Sequence, residues 1–321
     1  MIIDIAKRQR IRELTIYVES GKGSCPFACT YCFVAKQGEH RVMTQDVLED
    51  AIKWLLSVCD KPKALRFFGT EPLTQFGLIQ HARAYAPGLE LSITTNGWLL
   101  DDDRIQWLAD NGVRIYVYSI DGGPEHHKKR VTVAGKPTWE RVAANFQKLL
   151  PTQGKWITAR GTWDGSDYDL LGRFKALEAI GAGSIQIVPA IGLQCWDEAK
   201  VARAYMGLAD YYKGGDCPSR FIKQALVRLE SGDSRYQGNK CGMGKHAWGV
   251  TPTGDLCLCH NEIEMDDWRI GSIYDSSVNE HAILLSDRVD KFRPNMPECK
   301  RCHARVLCMG VGWCAAENLR Y

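Results

Sequence analysis

The sequence has no apolar run near the roughly 18 to 20 residues needed to cross a bilayer. Its first residues, Met1-Ile2-Ile3-Asp4 followed by Lys7, Arg8 and Arg10, lack the apolar stretch of a secretory signal. We therefore expect a cytoplasmic protein without a membrane segment. Charge of one sign is scarce as well: Lys+Arg 41 stand against Asp+Glu 38, a net charge of +3. The densest basic run, His126 to Arg130, is short, so the footprint of a dedicated nucleic-acid binder is missing. There is no internal repeat, no low-complexity tract and no charged tail. What is present, 321 residues of which 45% are hydrophobic, suffices for a full core. At roughly 150 residues per domain, that means two domains or one large α/β domain with an appendage.

Against these absences stand thirteen cysteines. Without an export signal they stay reduced, so stable disulfides are not expected and metal binding is. Cys25, Cys29 and Cys32 lie close together near the start. Cys241, Cys257, Cys259, Cys299, Cys302, Cys308 and Cys314 crowd the last third. Cys59, Cys195 and Cys217 stand alone and read as small buried hydrophobes.

Between about residues 15 and 190, β-rich runs alternate with helical patterns. The spacing predicts strands at Leu14 to Glu19, Ala64 to Gly69, Leu89 to Thr95, Val113 to Asp121, Trp156 to Thr162 and Ser184 to Ala190. Thr44 is placed to cap a helix with Val47, Leu48, Ile52, Leu55 and Leu56 on one face. Further helices fit Asp102 to Ala109, Thr138 to Leu150, Asp169 to Ile180, Asp197 to Tyr212 and Ser219 to Leu229. Six strands with intervening helices predict a parallel sheet of right-handed βαβ units, whose chemistry sits at the carboxyl ends of the strands. The alternation fades after residue 190, and we divide the chain into 1–235 and 236–321. The second part has few periodic apolar segments, so metal is the expected stabiliser.

Cys25-Pro-Phe-Ala-Cys29-Thr-Tyr-Cys32 follows the first predicted strand. Three thiolates complete neither a tetrahedral zinc site nor the four corners of a cubane, which leaves one metal position open for another ligand. A zinc loop completed by His40 is the alternative.

This segment, joined to Phe67-Phe68-Gly69-Thr70-Glu71-Pro72 at the end of the second strand, resembles the radical S-adenosylmethionine (SAM) enzymes. The resemblance continues through Ser92-Ile93-Thr94-Thr95-Asn96-Gly97, Ser119-Ile120-Asp121-Gly122, Gly135-Lys136-Pro137-Thr138-Trp139 and Ile185-Gln186-Ile187-Val188-Pro189. It implies a partial (β/α)6 TIM-like barrel and a [4Fe-4S] cluster on Cys25, Cys29 and Cys32. The open iron of that cluster chelates SAM, and one electron cleaves SAM to a 5′-deoxyadenosyl radical. It further implies close approach of SAM to Gly69, acceptance from its ammonium by Glu71, and hydrogen bonds from Asn96 and Ser119. Tyr31 would lie beside the adenine, and Arg130 or Arg141 would pair with the carboxylate. Each has a plainer reading: Glu71 as a helix cap, Asn96-Gly97 as a turn, Arg141 as a solvated helix residue. One departure is Thr70, where the family usually has a second glycine.

Cys241-x12-Gly254-x4-Cys259-His260 and Cys299-x2-Cys302-x5-Cys308-x5-Cys314 resemble the SPASM extension of these enzymes, which binds auxiliary [4Fe-4S] clusters. By that resemblance Cys241, Cys259 and Cys314 would hold one cluster, and Cys299, Cys302 and Cys308 a second. Two clusters need eight protein ligands and only seven cysteines are available from 241 onward. With six of them assigned, two positions stay open, to be filled by Cys257, His303 or substrate, or else a single cluster forms on Cys299, Cys302, Cys308 and Cys314. A zinc ribbon is the competing reading of the same spacing.

Within the SPASM enzymes the chain is similar to anaerobic sulfatase-maturating enzymes. Those have an Asp base after the Gly-x4-Cys cysteine and a Gln before Gly-Gly-Glu-Pro, where this chain has His260 and Phe68. A histidine still accepts a proton near neutrality, so His260 is the candidate base. The resemblance implies an oxidoreductase acting on a ribosomally made precursor peptide, with a reductant such as flavodoxin or ferredoxin. About 24 residues precede Cys25, too few for a leader-binding domain, so a separate leader-recognition protein or leaderless docking is expected. A dehydrogenase or epimerase acting on a sugar or aminocyclitol, and a zinc scaffold without catalysis, are the alternatives.

Overall fold

The computed structural model describes residues 2–8, 11–21, 23, 25–33, 39–190, 197–213, 215–219, 222–223, 247–258, 269–275 and 277–280. In chain order it begins with α1 (Ile2–Arg8), β1 (Glu13–Tyr17), and the short β2 (Glu19–Ser20) and β3 (Arg41–Val42), which pair antiparallel. Then follow α2 (Gln45–Val58), β4 (Ala64–Phe68), a 3-10 turn (Pro72–Gln75), α3 (Phe76–Tyr85), β5 (Glu90–Thr95), α4 (Asp102–Asp110) and β6 (Arg114–Ser119). The barrel segment closes with α5 (Pro124–His127), α6 (Trp139–Gln153), β7 (Thr158–Trp163), α7 (Leu170–Ala179) and β8 (Ile185–Pro189). Beyond it lie α8 (Glu198–Tyr211), β9 (Ala247–Val250), β10 (Asp255–Cys257) and β11 (Arg269–Ser272).

Nine strands form one sheet in the order β11-β10-β9-β1-β4-β5-β6-β7-β8. From β1 to β8 every pairing is parallel, so the six predicted strands build the predicted α/β sheet. Strand alternation sorts their side chains. Ile16, Phe67, Ile93 and Ile115 stand in register and are each fully buried, while Thr15, Arg66, Ser92 and Arg114 occupy the opposite face. The apolar row shares one core with Leu48, Ile52 and Leu55 of α2, and each such side chain contributes about 1.5–3 kcal/mol by burial.

The helix ends follow from local chemistry. Thr44 accepts from Val47 N at 3.3 Å, Asp101 from Arg104 N at 2.8 Å and Asp169 from Gly172 N at 2.8 Å, each satisfying an otherwise orphaned amide. One helical expectation is corrected: Leu56 is 52% exposed, because the buried face of α2 runs through Leu48, Ala51, Ile52, Leu55 and Val58, and Leu56 lies a turn of about 100° from Leu55. Three helices, α1, α3 and the short α5, are not announced by the periodicity.

The sequence beyond residue 235 joins the barrel sheet directly. β9 runs parallel to β1, and β10 and β11 follow antiparallel. Trp248 of β9 stacks on Trp54 of α2 with ring centroids 5.8 Å apart, which ties this part to the barrel helices. The proposed boundary at 235/236 and most of the Ser219 to Leu229 helix lie outside the described residues. Among the described residues no helix is long and apolar enough to cross a membrane.

Candidate metal centre and cofactor site

The loop carrying Cys25, Cys29 and Cys32 lies between β2 and β3, at the carboxyl end of β1. It is fastened to the segment after α5: Phe27 bridges Thr132, Ala28 N donates to Val131 O at 2.8 Å, and Val133 N donates to Pro26 O at 2.9 Å. Cys32 N turns back to Cys29 O at 3.1 Å. All three thiols are half-buried. Burial pushes the Cys25 thiol up to about 12, with the neighbouring Glu71 carboxylate adding to the rise, and burial also raises Cys29 against the pull of Arg130. Thiolates in such surroundings need a cationic partner, which iron supplies.

The donor set, three cysteine thiols on one loop, is ligand chemistry that an iron-sulfur cluster takes. A mononuclear zinc draws its sulfurs to about 2.3 Å from one centre, whereas a cubane distributes its thiolates over different irons. His40 stands 3.9 Å from Glu19.

The segment after β4 packs against this loop. Gly69 has φ +136°, and a Cβ there would lie 2.8 Å from the Glu19 carbonyl oxygen, so only glycine fits. Glu71, 1% exposed, points inward: Oε1 accepts from Leu73 N at 3.1 Å and from the Thr95 hydroxyl at 2.6 Å, and Oε2 accepts from Asn96 N at 2.7 Å. Its carboxylate thus caps the 3-10 turn and braces the end of β4 to the end of β5. Burial raises its pKa to about 7 despite these donors. Asn96 joins the two constellations, since its amide nitrogen reaches Cys25 Sγ at 3.7 Å while its Oδ1 accepts from Trp98 N at 3.0 Å.

At the end of β6 lies a second buried carboxylate, Asp121. Its Oδ1 is 3.0 Å from Arg130 Nη2 and accepts from Thr162 N at 2.7 Å, and its Oδ2 accepts the Tyr31 hydroxyl. Burial alone would raise Asp121, but Arg130 outweighs it and holds the group below the usual carboxylate range. Arg130 also lies over the Tyr31 ring, 5.4 Å from its centroid. Arg130, Tyr31 and Asp121 therefore form one unit beside Cys29. His127 accepts from Asp121 N at 3.3 Å through Nδ1. Burial drops its pKa to about 4, so it is neutral at ordinary pH with Nε2 buried and unpartnered.

The remaining expected residues fall as follows. Ser119 ends β6 half-buried. Arg141 is exposed on α6 and stacks over Trp98 at 4.6 Å, and Trp98 in turn meets Phe27 edge-on at 5.7 Å. Cys257 is buried on β10. Cys241, Cys259, His260, Cys299, Cys302, Cys308 and Cys314 lie outside the described residues. Three buried residues at this end of the sheet, Glu19, Asp121 and His127, were given no role by sequence reasoning. For Asp121 the signal was available: an acid at the end of an apolar strand, followed by glycine.

Comparison with known proteins agrees with this geometry. Residues 22–155 match the radical SAM superfamily, and residues 241–303 match the SPASM iron-sulfur cluster-binding domain. The chain is 24% identical to the cysteine-type anaerobic sulfatase-maturating enzyme of Clostridium perfringens, over 92% of this chain and 88% of that one. It is also 24% identical to the serine-type anaerobic sulfatase-maturating enzyme of Bacteroides thetaiotaomicron, over 93% and 82%. Its fold matches native anSMEcpe with bound AdoMet and Cp18Cys peptide, with TM-score 0.70, 22% identity, and 92% and 87% of the two chains covered. It also matches Streptococcus suis SuiB bound to precursor peptide SuiA, with TM-score 0.65, 15% identity, and 98% and 75% covered. The chain belongs to the radical SAM superfamily, carries a C-terminal SPASM iron-sulfur domain, and takes S-adenosylmethionine and [4Fe-4S] clusters as its cofactors.

Proposed function

We propose that this radical SAM enzyme is an oxidoreductase that modifies a residue of a ribosomally made peptide, leaving a thioether, a carbon-carbon crosslink or a dehydrogenated side chain. One observation carries the placement of the chemistry. Asn96 contacts both the Glu71 brace and Cys25, so the cluster loop and the two strand ends act as one rigid site. The peptide substrate is supported by the relatives, which include sulfatase-maturating enzymes and structures with a bound peptide or precursor peptide.

When bound, the N-terminal cluster and SAM would supply radical hydrogen-abstraction chemistry, and the auxiliary clusters would supply an acceptor for the electron the substrate loses. In our reading Cys25, Cys29 and Cys32 would hold the cluster that takes SAM. Cys241, Cys259, Cys299, Cys302, Cys308 and Cys314 hold the auxiliary clusters. Gly69 gives SAM its close backbone approach, and Asn96 and Ser119 supply hydrogen bonds to it. Tyr31, fixed by Asp121, lies beside the adenine. Arg130, buried and oriented by Asp121, is the arginine we assign to the SAM carboxylate, while Arg141 braces the loop through Trp98 and Phe27. Glu71 works from beneath by locking β4 to β5. His260 takes the proton released when the substrate is oxidised. A flavodoxin or ferredoxin delivers the starting electron, and a separate leader-recognition protein presents the peptide.

The test is to incubate the reconstituted enzyme anaerobically with SAM, reductant and Cys-bearing candidate peptides. Peptide-dependent 5′-deoxyadenosine together with a product lighter by two hydrogens supports the reading. Turnover of a sugar or aminocyclitol with no change in any peptide would replace it.

A further inference from the structure

Glu19 opens β2, just beyond the end of β1, fully buried and with its backbone against Gly69. Its carboxylate gathers one turn of chain. Oε2 accepts the Thr70 hydroxyl at 2.7 Å, and Oε1 accepts Gln75 Nε2 at 2.7 Å and lies 3.0 Å from the Thr74 hydroxyl. Thr74 is shared, because the same hydroxyl is 2.7 Å from the Glu71 carbonyl and has one proton to give. Among the described residues, Thr70 therefore gives Glu19 an undivided hydroxyl bond to the Gly69–Glu71 segment.

On its other side the carboxylate abuts the approach to the cluster loop. A Cβ placed on Gly23 would meet Glu19 Oε2 at 2.5 Å and Thr70 Oγ1 at 2.9 Å. The Glu19–Thr70 bond is thus held between the chain two residues ahead of Cys25 and the segment that lines the SAM site. Thr70 is also the position at which this chain departs from a second glycine. A glycine there has no side chain with which to make this tie.

We infer that Glu19 and Thr70 work as a pair of positioning residues, one hydrogen bond fixing the Gly69–Glu71 backbone against the Cys25 loop so that both present themselves together to SAM. This rests on SAM binding at residues 69–71. In this inference both side chains act through the backbone they hold rather than on SAM itself.

The experiment uses holoenzyme reconstituted with iron and sulfide. SAM affinity is measured by anaerobic calorimetry, and the EPR spectrum of the reduced N-terminal cluster is recorded with and without SAM. Thr70→Ala and Glu19→Gln should each weaken SAM binding by about tenfold, the usual worth of a lost hydrogen bond to a charged group. Iron content should hold, and the SAM-induced EPR change should be reduced. Thr70→Ser, which keeps the hydroxyl, should bind within about twofold of wild type, and the double variant should be no weaker than either single one, as residues sharing one bond require. Unchanged affinity in Thr70→Ala, failure of Thr70→Ser to rescue, or multiplied losses in the double variant would overturn the inference while leaving the SAM site in place. A cluster-loaded wild type that does not bind SAM would overturn the site itself. Should Glu19→Gln not load iron, Thr70→Ala against Thr70→Ser decides.

Discussion

Two strand ends of the same sheet bury a carboxylate each, and the two carboxylates behave in opposite ways. Glu71, after β4, is surrounded by neutral donors from Leu73, Thr95 and Asn96, and burial lifts it to about 7. Asp121, after β6, is buried to the same degree, yet Arg130 keeps it ionised below the usual range. Burial is therefore not what sets the charge at this end of the sheet. The presence of one cation is. The β4 end is a scaffold that braces the cluster loop through neutral donors, whereas the β6 end is an ion pair that orients an arginine and a tyrosine beside Cys29.

Removing the anion from the β6 end should have the largest effect on folding. Asp121→Asn leaves the Arg130 guanidinium buried without its partner, and losses of about 3–5 kcal/mol are expected for such a change. Urea unfolding reads this directly. Gly69→Ala comes next: at φ +136° and with the Glu19 carbonyl 2.8 Å from the new Cβ, it should cost about 1–3 kcal/mol and lower the iron bound on reconstitution.

A milder loss should follow Glu71→Gln, which keeps the shape but turns one acceptor into a donor facing donors, about 1–3 kcal/mol by the same unfolding assay. Its pH profile sharpens the contrast. A carboxyl whose folded pKa is raised contributes stability that is complete below its unfolded value and is lost as pH rises through about 7. The gap between wild type and Glu71→Gln should thus shift against wild type between about pH 4.5 and 7. Asp121 is depressed, so its contribution is present above its unfolded value and disappears as pH falls through the folded one. The gap between wild type and Asp121→Asn should therefore collapse in acid. Profiles that run in the same direction would erase the distinction between the two ends.

Arg141→Ala should be the smallest change. Loss of the stack on Trp98 is worth about 0.5–1 kcal/mol, and SAM affinity measured by calorimetry should stay within about twofold. A tenfold loss would transfer the carboxylate role from Arg130 to Arg141.

The six parallel strands were legible because runs such as Leu65 to Phe67 and Leu91 to Ile93 alternate apolar with polar residues and are bounded by turn residues, and the caps Thr44, Asp101 and Asp169 act through local chemistry alone. α3 was hidden because Pro72 and Gly77 interrupt its start and Gln80 and His81 blur its period. β9 to β11 were hidden because their short strands gain stability from β1 and Trp54, contacts distant in sequence. The Cys triplet and Gly69–Glu71 could be read from their resemblance to the radical SAM enzymes, whereas the role of Glu19 could not. An acid at the end of a strand is ordinarily solvated, and only the fold brings Thr70, Thr74 and Gln75 over it. Glu71 and Arg141 show the same limit, since the plainer readings as a cap and a surface residue describe their side chains here.

The central claim is radical initiation at the Cys25, Cys29 and Cys32 loop. Its most direct test is to reconstitute wild type and a Cys25/Cys29/Cys32→Ala variant anaerobically, add SAM and a strong reductant, and quantify 5′-deoxyadenosine. The account predicts steady formation by wild type and only background from the variant, with the auxiliary iron retained. Equal formation by both proteins, or none by a cluster-loaded wild type that has been offered its peptide, would contradict it.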